Sequence, residues 1–125
     1  MTRPPAPHLD VRLAPGRAAF NRGEFFVAHE LWETVWRELA VEADSDDDRL
    51  LVQGLIQIAA GLHHALQGRT RPAARLLARG ASKLARHTRA SATTLPIATL
   101  VDDVARLRAA LEAPGAAPDL AAVRF

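Results

Sequence analysis

The stretch Asp46-Asp-Asp-Arg-Leu-Leu-Val-Gln-Gly-Leu-Ile-Gln-Ile-Ala-Ala-Gly-Leu-His-His-Ala-Leu-Gln67 decides the architecture. At the helical step of about 100° per residue, Leu51, Leu55, Ile58, Leu62 and Leu66 cover one side. Val52, Ile56 and Ala59 carry the apolar cover round the back. Only a stripe of Gln53, Gln57, Ala60 and His64 remains polar or small, bordered by Gly54 and Gly61. A helix apolar nearly all round belongs at the centre of a bundle. Its two glycines lie seven residues apart on nearly the same line, where a second backbone can approach closely. Ser45 and Asp48 form a capping-box pattern at its start, and Gly68 ends it.

Working outward, the preceding segment from Glu24 to Leu39 is amphipathic. Phe25, Ala28, Trp32, Trp36 and Leu39 share one face, with Glu30, Thr34, Arg37 and Glu38 opposite. His29 falls inside the apolar arc and Glu33 at its edge. Before it, Pro15 to Arg22 reads as a short helix with proline in its first turn and Gly23 as its stop. Residues 1–13 hold three prolines among weak periodicity and read as a loose arm, leaving 14–125 as a single helical domain. Val41 to Asp47 is an acidic loop. Downstream, Thr70 caps a fourth helix running to about Arg89, with Leu76, Leu77, Ala81, Leu84 and Ala85 inward. Thr99 and Asp102 suggest a capping box before a fifth helix, Leu100 to Glu112, with Val104, Leu107 and Leu111 inward. Pro114-Gly115 stops it, and one loose turn is expected over 116–125. The fold class is all-α: a compact bundle of about five helices around an apolar third.

The chain of 125 residues is about half apolar and a quarter charged, the balance of an ordinary globular domain. Without cysteine, disulfides, thiolate metal sites and thiol catalysis are excluded. No apolar run approaches the roughly 18 residues of a spanning helix, so no membrane partner is expected and the location expected is cytoplasmic. The isoelectric point near 10.3 misleads. Net charge is only +2, and fifteen of the sixteen basic residues are arginine. No tyrosine or cysteine is present to lose a proton between neutrality and high pH, so a small positive charge carries the isoelectric point far upward.

Two constellations carry chemistry. His29 and Glu33 stand one helical turn apart on one side, a spacing that suits two ligands of a divalent transition metal. A third ligand must come from elsewhere, and His64, on the polar stripe of the central helix, is the candidate. Gln57 on the same stripe and Trp36 beside Glu33 are placed to orient a ligand or bound water. His29, Glu33 and His64 are expected to converge within roughly 3 to 5 Å. Against this stands a purely structural reading, in which the same groups form a satisfied hydrogen-bond network with Glu33 accepting from an indole. The second constellation is a basic stripe on the fourth helix: Arg71, Arg75, Arg79, Lys83, Arg86 and Arg89. It carries no interleaved aromatic, so a solvated face or pairing with the acidic loop is preferred to nucleic acid. His8 and His87 read as surface residues. No nucleophile elbow, P-loop or dinucleotide fingerprint is present, leaving metal-assisted hydrolysis as the only enzymatic option.

Phe20-Asn21, Gly23-Glu24-Phe25-Phe26, His29-Glu30-x-x-Glu33-x-x-Trp36, Gly54-Leu55-Ile56-Gln57 and His64 together resemble the bacterial and archaeal family called domain of unknown function 309. The resemblance spans about Phe20 to Leu84. It implies an all-helical fold and a suspected metal site at the positions matched by His29, Glu33 and Trp36, and no activity. The adjacent His63 leaves open which histidine faces inward, and helical geometry favours His64. The leading expectation is therefore a metal or small polar-ligand site between the second and third helices. The alternative is an interaction module using the basic fourth helix, with the inner polar groups structural. A second copy of the chain remains a further candidate partner.

Overall fold

The computed structural model describes residues 8–87, 93–113, 115 and 119–125. Among these, five α-helices follow one another: α1 (His8–Asn21), α2 (Phe25–Leu39), α3 (Asp46–Leu66), α4 (Thr70–Arg86) and α5 (Ile97–Glu112), with a single 3-10 turn at Leu120–Ala122. Each helix packs on the next in sequence, α1 on α2, α2 on α3, α3 on α4 and α4 on α5. Helix α3 is the middle of that series, and its principal partners are α2 and α4.

Most of the apolar wrap of α3 is buried: Leu51, Val52, Leu55, Ile58, Ala59 and Leu62 are fully or almost fully enclosed, whereas Ile56 is only partly buried and Leu66, expected on the same side, is exposed at the end of the helix. Each enclosed leucine, isoleucine or valine contributes on the order of 2 kcal/mol by leaving water. The glycine line serves close packing. A Cβ at Gly54 would lie 3.0 Å from the Gly80 carbonyl oxygen, and one at Gly61 would lie 2.9 Å from Leu77. Helix α4 thus reaches α3 nearly backbone to backbone.

The first helix starts seven residues earlier than the proline suggested. Leu9, Leu13, Gly16 and Phe20 are buried at spacings of four, three and four, a helical stripe running straight through Pro15. Pro15 is exposed and removes the hydrogen bond that would end on the carbonyl of Val11, itself an exposed residue. Water can satisfy that carbonyl, and burial of Leu9 and Leu13 offsets the loss. The arm expected over 1–13 therefore gives way to helix from His8, with residues 1–7 outside the described set. Gly16 also makes room for Trp32: a Cβ there would meet the indole Nε1 at 2.3 Å. The enclosed Trp32 Nε1 donates instead to the Leu13 carbonyl at 3.2 Å.

Three capping readings are corrected. Ser45 precedes α3 but its hydroxyl donates backward, to the carbonyls of Leu39 at 2.6 Å and Glu42 at 2.9 Å, tying the acidic loop to the end of α2. Thr70 is the first residue of α4, after Arg69, and α5 begins at Ile97 behind Pro96, which puts Thr99 inside the helix. On α4 the buried residues are Ala73, Leu77, Gly80 and Leu84, whereas Ala85 is exposed and Leu76 only half-buried. Arg89 and part of the 91–98 connection lie outside the described residues, as does the side chain of His8.

The final turn is not loose at its end. Phe125 is buried, with its ring edge-on to Phe20 at 6.2 Å and to Trp32 at 6.0 Å. Asn21 fixes it from both sides, accepting from the Phe125 amide at 2.8 Å and donating to its carbonyl at 2.9 Å. His87 is buried too, contrary to its expected place on the surface.

Candidate functional site

Helix α2 turns its large apolar side chains into the core, which leaves His29 and Glu33 at the rim where α2 meets α3. His29 Nε2 and Glu33 Oε1 are 3.7 Å apart, with about a quarter and a third of the two side chains exposed. Arg37, one turn further on, approaches the same Glu33 oxygen at 3.9 Å. Glu30, read from the sequence as a solvent-side residue, is exposed but reaches back: His29, Glu30 and Glu33 each offer a ligand atom, all within 4.8 Å of one another. One imidazole and two carboxylates form a mixed N/O donor set of the kind divalent transition metals accept. The residues present fit such an ion in donor type.

His64 does not join that group, and the expected three-way convergence of His29, Glu33 and His64 to shared-ligand distance is corrected accordingly. It stands across a small cavity of about 140 Å³ lined by Phe26, His29, Ala60, His63 and His64. Both histidines of the central helix therefore face the site. The Phe26 ring stacks on His29 at 5.8 Å and tilts against His63 at 5.2 Å, forming an apolar wall that orients both imidazoles. His63 is held further by Gln67, whose amide donates to its Nε2 at 3.2 Å.

His29 Nδ1, His64 Nδ1 and Trp36 Nε1 are buried and have no hydrogen-bond partner among the described residues. Gln57 does not serve the site. Its Oε1 accepts from Lys83 Nζ at 2.9 Å, which turns it toward α4, and it does not line the cavity. Trp36 packs half-buried against the core and does not line the cavity either. Glu33 is not the indole acceptor proposed for it, since Trp32 donates to Leu13.

Two participants escaped sequence reasoning. Helical angle alone puts Glu30 on the solvent side, although a glutamate side chain is long enough to swing toward its neighbour. Phe26 sits one residue off the apolar face and is half-exposed, which by pattern is simply a surface aromatic.

Among the described residues no helix is long and apolar enough to cross a membrane. Comparison with curated proteins finds no match, and comparison with solved structures finds none. The family described as Domain of unknown function (DUF309) matches residues 13–76, just over half of the chain. That span runs from the buried Leu13 through α2 and α3 into α4, and includes His29, Glu30, Glu33, His63 and His64. The chain belongs to the DUF309 family.

Proposed function

We propose that this chain binds a divalent transition metal on the α2 face formed by His29, Glu30 and Glu33, with the adjoining cavity admitting a small polar ligand. The observation that carries the reading is the meeting of three donor side chains within 4.8 Å beside two further histidines. His29 and Glu33 form the core of the donor set, one turn apart on a rigid helix. Glu30 completes it from the solvent side. His64, with its unpaired Nδ1 in the same cavity, is positioned to hydrogen-bond what binds there, and Phe26 excludes water from one wall. A bound divalent ion would supply Lewis acidity toward an oxygen of that ligand. The donor set includes two carboxylates, which favours Mn²⁺, Fe²⁺ or Zn²⁺ over copper-type sites built on sulfur.

The test is metal titration followed by calorimetry on protein purified without a histidine tag. The reading expects one site per chain, lost in Glu33→Gln. Weak binding at several sites, equal in the wild type and that variant, contradicts it.

A further inference from the structure

Helix α4 carries no aspartate or glutamate from Thr70 to Arg86. It does carry Arg71, Arg75, Arg79, Lys83 and Arg86, so like charges stand at three successive i, i+4 steps and one i, i+3 step along one face. Such pairs oppose helix formation. Arg71 also lies in the first turn, where the helix dipole disfavours a cation. The dipole favours Lys83 and Arg86, which lie in the last turn, but does not account for Arg71, Arg75 or Arg79.

The fold does not neutralise them. Arg71, Arg75, Arg79 and Arg86 are exposed, and among the described residues none forms an ion pair. Several carboxylates are engaged with other arginines: Glu38 and Glu42 bind Arg12, Asp46 binds Arg49, and Asp103 binds Arg106. Lys83 alone is drawn aside, donating to Gln57. The four arginines are left as an uncompensated row spanning about 22 Å, at 1.5 Å per residue. Small side chains, Ala74, Ala78 and Ala85, border the row and leave it open to a broad surface.

We propose that this face of α4 binds the phosphate backbone of duplex nucleic acid without reading its sequence. Guanidinium groups recognise phosphate through paired N–H donors. The absence of aromatic residues on α4 removes the stacking that single strands need. A second copy docking through its acidic loop would have to use Asp44, Asp47 and Asp48, since Glu42 and Asp46 are already paired internally.

The test is fluorescence anisotropy of the full chain with a labelled duplex of about 20 base pairs and arbitrary sequence. Four phosphate contacts predict that log K falls with log salt at a slope between about −3 and −4. Affinity should drop by about two orders of magnitude from 50 to 200 mM salt. Arg75→Ala, Arg79→Ala and Arg86→Ala combined should weaken binding at least tenfold and bring the slope near −1, with circular dichroism and Tm unchanged. The slope of the unmodified chain tests the claim independently of that variant. No binding at 50 mM salt, an unaltered slope in the variant, preference for single strands, or salt-sensitive self-association without duplex binding would each overturn it.

Discussion

The carbonyl oxygen of Gly54 occupies the space that a side chain on Gly80 would need: a Cβ at Gly80 would lie 2.7 Å from it and 2.7 Å from Ile58 Cγ1. The two glycines set the distance between α3 and α4, and that distance seats Leu84 and Leu77 against the central helix. Gly80→Ala therefore runs against its usual sign. Alanine is favoured over glycine inside a helix by about 1 kcal/mol, yet here the collision is with backbone, which cannot rotate away. We expect a net loss of about 1–3 kcal/mol in urea melts. A stabilised variant would show that α3 and α4 are further apart than described.

Asp10 links the start of α1 to the segment before α5. Burial pushes its carboxyl upward, but hydrogen bonds from the Thr93 hydroxyl and from the Thr94 hydroxyl and amide, helped by Arg17, outweigh it and hold the group below its ordinary value. A depressed folded-state pKa contributes stability that is present above the ordinary carboxylate range and is lost as pH falls through the folded value. Chemical denaturation at pH 7 and at about pH 3 should show that loss in the wild type, and it should be smaller in Asp10→Asn. Equal acid sensitivity in both proteins would remove Asp10 from the account.

Phe125 closes the aromatic cluster of Phe20 and Trp32. Truncation to alanine should cost about 3 kcal/mol, the usual scale for emptying a buried phenylalanine site. A loss below about 1 kcal/mol, read from thermal or urea unfolding, would mean that the last residues do not pack as described.

Gln57 faces Lys83 and not the cavity, so Gln57→Ala should leave metal affinity unchanged while loosening the α3–α4 contact by about 1 kcal/mol. A large drop in metal affinity would return Gln57 to the site.

The bundle was legible because its decisive helix is apolar over most of its circumference, and no other element can absorb such a pattern. Gly54 and Gly61 were legible for a related reason, since small residues in line on a buried helix have few uses besides close approach. Their partner Gly80 was hidden among arginines. The start of α1 was masked by Pro15, whose local cost outweighed the Leu9, Leu13, Gly16 and Phe20 spacing in a reading by residue type. Ser45 and Thr70 failed as caps because a hydroxyl at a helix start has several carbonyls and amides in reach, and tertiary placement chooses among them. In the site, the i, i+4 relation of His29 and Glu33 follows from helical geometry alone. Glu30, Phe26 and the paired facing of His63 and His64 depend on how α2 leans on α3, which periodicity does not encode.

The most direct test of the metal-site proposal is the melting temperature of the untagged chain with chelator and with added Mn²⁺ or Zn²⁺. Binding to the folded state alone raises stability by about 2.7 kcal/mol at a hundredfold excess over Kd. At 3.7 Å and partly exposed, the His29–Glu33 pair contributes little on its own. Glu33→Gln should therefore melt within about 1 kcal/mol of the wild type in chelator, and should lose the metal-induced rise, as should His29→Ala. A rise of the same size in all three proteins, or no rise in the wild type, would contradict the proposal.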